Sequence, residues 1–245
     1  MCKRIARRLT ELDLPDLDAY RTLLEASAGE WNHLDSLCRI TISRFYRDRA
    51  VWNCLGEVLL PDLTTLAERS GNAELRCWSV GCASGEEPYT LALVWRWKIG
   101  SAAARLQLRI LASESDERLL DRARRGVYDE SSLRDLPDEL RGCFATEGER
   151  YRIEPAYREP IIFVRQDVRR ELPTDEFHLV LCRNLIFTYY DESLQRLLLA
   201  RLAQRLVPGG ALVIGIHETL PAQEAGLSAR DARLGMYVRT SSSGI

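Results

Sequence analysis

The residues of this chain best suited to chemistry lie in Trp78-Ser-Val-Gly-Cys-Ala-Ser-Gly-Glu-Glu-Pro-Tyr89. Gly81, Ala83 and Gly85 let a ligand approach the main chain, and a helix starting here would offer unpaired N–H groups. Strand, small-residue loop and helix in this order form the place where α/β proteins hold nucleotide-like ligands. The carboxylates of Glu86 and Glu87 would repel a phosphate, so the ligand expected here carries positive charge. Glu87 is the residue expected to hold its ammonium or sulfonium group. A competing reading makes Ser84-Gly-Glu-Glu87 a capping box, with Ser84 on the Glu87 backbone N–H and Glu87 reaching back.

Further polar groups follow other apolar runs. Leu111-Ala-Ser-Glu-Ser-Asp116 ends a second strand, and Glu114 stands where nucleotide-binding folds hold ribose hydroxyls. Asp116 is placed to cap the next helix instead. Gln166-Asp167-Val168 follows a third strand, where a side chain could bond an adenine amino group; Asp167 reads equally as loop polarity. Cys182-Arg183-Asn184 follows a fourth, buried strand, and Asn184 also reads as a turn former. Thr41-Ile-Ser-Arg-Phe-Tyr-Arg47 gathers hydroxyls, aromatics and arginines, but its composition alone fits an amphipathic helix end better than a site.

Positioning these groups requires a layered fold. Up to about Ser70 the apolar spacing is helical, with Leu14, Leu17, Tyr20, Leu23 and Leu24 on one face, then Trp31, Leu34, Leu37 and Ile40. Pro61-Asp62 marks a new helix start. After Gly71 strands over 75–80, 106–112, 161–164, 177–182, 211–216 and 236–239 alternate with helices over 88–99, 117–125 and 194–206. Pro208-Gly209-Gly210 closes the last helix, and the Ser241–Gly244 tail is expected to be disordered. The expectation is an α/β, doubly wound, mostly parallel sheet over 71–245, with a small all-helical N-terminal domain over 1–70.

Bulk composition narrows the function. The chain has 245 residues, 46% hydrophobic and 29% charged, enough for one α/β core and a small appendage. A net charge of −2 argues against bulk binding to nucleic acid or to an anionic membrane. No apolar run reaches spanning length, and Met1-Cys-Lys-Arg-Ile-Ala-Arg-Arg is too charged for a signal peptide. Seven cysteines without a CxxC and three scattered histidines predict neither a disulfide framework nor a metal centre, so a reducing cytoplasm is expected.

Four ordered blocks carry a resemblance. Ser43-Arg-Phe-Tyr-Arg-Asp48, Trp78–Tyr89, Cys182-Arg-Asn-Leu-Ile-Phe-Thr-Tyr-Tyr-Asp191 and Pro208-Gly-Gly-Ala-Leu-Val-Ile-Gly-Ile-His-Glu218 resemble the CheR-type chemoreceptor glutamate methyltransferases, over about Lys3 to Arg239. The resemblance implies a class I methyltransferase sheet and S-adenosylmethionine as methyl donor, with S-adenosylhomocysteine as product. It also implies methyl ester formation on glutamates in the cytoplasmic helices of a bacterial chemoreceptor, by a monomer without a metal. It carries the cofactor contacts onto Thr41, Ser43, Arg47, Gly81, Glu87, Glu114, Asp167, Val168, Arg183 and Asn184. Arg47 would orient the acceptor carboxylate. Glu114 replaces an aspartate of the family, and Asp167-Val168 an asparagine–leucine pair.

The family's tyrosine at the reaction centre maps onto Tyr189, with Thr188 or Tyr190 as substitutes because the spacing is one residue longer here. Residues 149–160 are short where some members carry a small β-subdomain that docks a receptor tail, so no tail tether is expected. The chain also begins inside what is normally the family's second helix. The basic stripe Lys3, Arg4, Arg7 and Arg8 reads either as a solvated face or, as in the family, as a contact with the receptor's acidic helices. Other readings keep the cofactor but change the acceptor, or make the chain a non-catalytic regulatory module. A nicotinamide-binding fold is disfavoured by Glu86-Glu87 and the missing GxGxxG.

Overall fold

The computed structural model of the chain describes residues 2–27, 29–31, 33–34, 43–100, 105–221 and 226–240, with side chains from Ile5 onward. Thr41, Leu37, Ile40 and the Ser241–Gly244 tail lie outside the described residues.

Two compact units are present, Met1–Ile42 and Ser43–Ile245. The first contains α1 (Cys2–Glu11) and α2 (Leu17–Ala26). Asp16 caps α2 by accepting from the Ala19 N–H at 2.9 Å, and Tyr20 and Leu24 are its buried residues.

The second unit opens with α3 (Arg49–Cys54) and α4 (Leu60–Arg69), joined through a π-helical turn at Leu55–Leu59. Pro61 thus lies in the first turn of α4, as expected, although α4 follows the π-helical turn without a break. The wider turn, in which the Leu60 N–H bonds to the Leu55 carbonyl, carries the chain into the proline-containing first turn of α4. The seven-stranded sheet is built from β1 (Glu74–Val80), β2 (Gln107–Glu114), β6 (Ile161–Arg165), β7 (Phe177–Cys182), β8 (Leu206–Ile214), β9 (Leu227–Asp231) and β10 (Met236–Arg239). Its order is β6-β2-β1-β7-β8-β10-β9. The pairs from β6 to β8 are parallel, while β10 runs antiparallel to both β8 and β9. The mostly parallel, doubly wound sheet of the class I methyltransferase type is thus present.

Period-two side-chain alternation explains the layers. Leu75 and Cys77 of β1, Leu179 and Leu181 of β7, and Ala211 and Val213 of β8 point into one core with Leu60 and Leu63 of α4. Leu91 of α5 (Glu86–Val94) and Leu120 of α6 (Glu117–Arg125) join the same core. The intervening residues Trp78, Val80, Val180, Cys182, Leu212 and Ile214 point to the other face. There they meet Leu198, Leu199 and Leu202 of α8 (Glu192–Gln204).

Several expectations are corrected. The compact sheet unit begins at Ser43 rather than near residue 70, because Trp52, Leu55, Leu59, Leu60 and Leu63 belong to its core. Residues 127–153 form a second, three-stranded antiparallel sheet in the order β3-β5-β4, from β3 (Val127–Asp129), β4 (Phe144–Glu147) and β5 (Arg150–Ile153). The expectation of a segment too short for a β-subdomain therefore fails. α8 ends before Pro208-Gly209-Gly210, which lies inside β8 where the register with β7 shifts. Among the described residues, no helix is long and apolar enough to cross a membrane.

This division makes a prediction. A chain starting at Ser43 should retain one cooperative urea transition. A chain starting at Gly71 loses those five buried side chains at about 2 kcal/mol each, comparable to a domain's whole stability. It should show no native near-ultraviolet circular dichroism.

Candidate active site

The carboxyl ends of β1 and β7 lie side by side where the strand order reverses, the crevice in which such sheets bind ligands. The loop leaving β1 is tightly held. Gly81 has a φ of +68°, and a Cβ there would lie 2.5 Å from Leu185 Cδ2. The Cys82 N–H donates to the Ser113 carbonyl at 2.9 Å, and the Ala83 N–H to Glu114 Oε2 at 3.2 Å. Gly85 caps α5 in the left-handed region without any side-chain bond, so the capping box does not form. Ser84 Oγ instead donates to the Glu86 carboxylate at 2.8 Å, and Tyr128 OH donates to the Ser84 carbonyl at 2.7 Å. Glu86, 1% exposed and 3.8 Å from Arg122 Nη2, fastens the loop from inside. The acidic pair thus separates into two tasks.

Glu87 faces a different set of partners. Its carboxylate accepts from Ser79 Oγ at 2.8 Å and lies 3.5 Å from Arg183 Nη1. Burial pushes its pKa above the usual carboxylate value, and the Arg183 charge opposes that push. Arg183 Nη2 continues to Asp48 Oδ2 at 2.6 Å and to the Arg47 carbonyl at 3.1 Å, with the guanidinium 5.4 Å from the centre of the Trp52 ring. The side chain of Arg183 is 4% exposed. One buried cation therefore joins the cofactor-loop glutamate to the segment ahead of α3.

That segment is not the helix end its composition suggested. Residues 43–48 are irregular, with Tyr46 and Asp48 in the left-handed region at φ 58° and 63°. The Phe45 N–H donates to the Ser132 carbonyl at 2.9 Å, and its ring meets Tyr128 and Phe144 edge-on. The Tyr46 N–H donates to Thr90 Oγ1 at 3.1 Å, and its hydroxyl donates to Asn53 Oδ1 at 2.9 Å. Ser43 and Arg47 are half-buried, and the Arg47 charge helps hold the Glu87 pKa down. The two residues expected at the donor and acceptor ends, Glu87 and Arg47, are thus brought into electrostatic reach.

Other expected residues have mixed outcomes. Glu114 is buried at the β2 tip, where Oε1 accepts the N–H groups of Ser115 (2.7 Å) and Asp116 (3.0 Å). Together with the Ala83 bond this makes it a clamp on the glycine loop. Asp167 is engaged by Arg169, which holds its carboxylate below the usual range, and Val168 is core, packed in the cluster of Trp78 and Val80. Asn184 follows β7 in the left-handed region at φ 57°. Thr188 Oγ1 donates to Glu218 at 2.6 Å, and the Tyr190 ring lies 5.9 Å from the Arg169 guanidinium. Tyr189 stays 51% exposed at the end of α7 (Ile186–Tyr189).

In the first unit Arg8 is committed to Glu30, with Nε and Nη2 at 2.9 and 2.8 Å; Tyr20 OH donates to the same carboxylate. Arg8 holds the Glu30 pKa down to about 2, so this member of the expected receptor-facing stripe is an internal strut. Arg7 is exposed, 3.1 Å from Glu11, and the Arg4 side chain lies outside the described ones. Sequence reasoning gave no role to Asp48, Ser79 or Glu218. Asp48 was legible only as the last residue of the Ser43–Asp48 block, and Ser79 as the polar residue of an apolar strand.

The residues fit a sulfonium nucleoside. A partly desolvated carboxylate at Glu87 favours a cation, and Gln166 Oε1, buried beyond the β6 tip without a hydrogen-bond partner among the described residues, suits an amino-group donor. The raised Glu87 pKa also predicts a cost. Wild-type stability should fall as pH rises from the unfolded glutamate value of about 4.3 towards the higher folded one, and stay reduced above it. Glu87→Gln should therefore melt higher than wild type at pH 7, with the difference vanishing below about pH 4. Thermal melts of the free protein across pH check this.

Residues 41–235 match the family model described as CheR methyltransferase, SAM binding domain. A chemotaxis protein methyltransferase of Listeria monocytogenes is 33% identical over 186 residues, covering 76% of this chain and 68% of that protein. Its Escherichia coli counterpart is 30% identical over 236 residues, covering 93% and 78%. An uncharacterized 104.1 kDa protein of Rhodobacter capsulatus is 32% identical over 232 residues, covering 94% of this chain; the chain spans only 24% of that protein. Through its glycine loop, its sheet order and these matches, the chain belongs to the CheR methyltransferase family and contains that family's S-adenosylmethionine-binding domain.

Proposed function

We propose that this chain is a protein-glutamate O-methyltransferase that forms methyl esters on glutamates of a chemoreceptor-type signalling protein, in the cytoplasm. The observation that carries the reading is the Arg183 bridge, which ties Glu87 to Asp48 and the Arg47 carbonyl. Glu87, Glu114 and Asn184, with Arg183 behind them, would hold S-adenosylmethionine, which when bound supplies an activated methyl group. A glutamate acceptor, with a solution pKa of about 4.3, is already ionised at neutral pH and needs no strong base. What the protein must add is orientation. Arg47 offers a planar guanidinium that can grip a carboxylate through two hydrogen bonds, and Tyr189 a half-exposed phenol at the end of α7. Carboxylates around the loop favour a positively charged donor over the neutral thioether left after transfer.

Methyl-labelled S-adenosylmethionine should label helical receptor fragments as base-labile esters, located on glutamates by mass spectrometry. Label on a small carboxylate or on another protein would move the acceptor assignment, and cofactor binding without any transfer would favour a regulatory module. Tight binding of NAD in place of S-adenosylhomocysteine would contradict the reading altogether. Arg47→Ala should keep cofactor affinity within about 3-fold while turnover falls by about 100-fold or more. Unchanged turnover would remove Arg47 from the acceptor role.

A further inference from the structure

Glu218 is a buried carboxylate that the proposed chemistry leaves unused. It lies in the turn after β8, its own N–H donating to the Gly215 carbonyl at 2.9 Å. Its Oε2 accepts the N–H groups of Gly215 at 2.6 Å and Asn184 at 2.8 Å, and its Oε1 accepts from Thr188 Oγ1 at 2.6 Å. The residue is 8% exposed, and every one of these donors is neutral. Among the described residues no ion pair reaches this carboxylate, and short hydrogen bonds replace its water.

The bonds span a gap in the sheet. β7 and β8 are paired as far as Cys182 and Ile214, and beyond that register the chains part into two turns. Glu218 is anchored in one turn and holds both ends of the other, Asn184 at its start and Thr188 beside Tyr189. Space is tight here as well: a Cβ at Gly215 would lie 2.6 Å from Asn184 Nδ2 and 2.8 Å from Glu218 Oε2. Asn184 is in the left-handed region, a conformation that surrounding contacts must enforce. Burial is the main push on the Glu87 pKa, and the Glu218 charge adds to it.

We propose that Glu218 is a positioning residue of the methyltransferase site: it fixes the Asn184–Tyr189 turn, setting cofactor affinity through Asn184 and turnover through Tyr189. This rests on the function proposed above for what the turn contacts, but not for the geometry of the turn itself. The charge matters less than the acceptor geometry, since a carboxamide can still accept from two N–H groups and donate to Thr188.

The test uses the full chain and two separate readouts. In the free protein, amide hydrogen exchange at Asn184 and Gly215 should accelerate by about 10-fold or more in Glu218→Ala and stay near wild type in Glu218→Gln. With cofactor, Glu218→Ala should weaken S-adenosylhomocysteine binding by about 10-fold and lower kcat, and Glu218→Gln should restore most of both. Should Glu218→Ala fail to fold, Thr188→Val removes only one bond. It should lower kcat several-fold with cofactor affinity within about 2-fold, and Thr188→Ser should recover it. Unchanged exchange in a folded Glu218→Ala, or unchanged kcat in Thr188→Val, overturns the proposal. Faster exchange in a protein that binds no S-adenosylhomocysteine even as wild type would uphold the clamp and sink the function assigned to the site.

Discussion

A single buried guanidinium organises this protein. Arg183, at the end of the central strand β7, touches Glu87 from the glycine loop, Asp48 and the Arg47 carbonyl from the segment before α3, and the face of Trp52. Asp48, at 2.6 Å, compensates the buried cation directly, and the cation in turn offsets part of the burial cost of Glu87. The pairing with Asp48 fixes where the segment before α3 must sit. Its consequence is spatial: residues distant in the chain converge on one crevice at the sheet's switch point.

The rest of the site extends the same logic of satisfied but unshielded polar groups. Glu86 and Glu114 are held by hydroxyl and main-chain donors that stiffen the glycine loop. Glu87 is left with one hydroxyl and one guanidinium at longer range, which makes it the carboxylate with most to gain from an incoming cation. A loop rich in acid thus discriminates by charge, as a phosphate cradle would with the opposite sign.

Much of the sheet was legible because its central strands are short apolar runs bounded by polar or glycine-containing segments. Leu179 and Leu181 against Val180 and Cys182 make a strand buried on both faces, as a central parallel strand is. The small sheet was not legible: β3, β4 and β5 are three or four residues long and carry arginines and glutamates, too short to show a period. The roles expected of Ser43 and Arg47 came from motif resemblance and not from composition, and Asp48 had none, since it finds Arg183 across 135 residues of chain. Glu218, the last residue of its own resemblance block, was left without a role for a related reason. Two of its three partners are main-chain N–H groups, which no pattern of side chains reveals.

The claim that Arg183 couples the cofactor loop to the acceptor-side segment is tested most directly by a double-mutant cycle on turnover. It uses Arg183→Gln, Asp48→Asn and the pair. If the guanidinium acts by holding Asp48, the second substitution adds almost nothing to the first, and the coupling energy is on the order of 1–3 kcal/mol. Additive losses would show that the two residues act independently, and the bridge would then be no more than a contact.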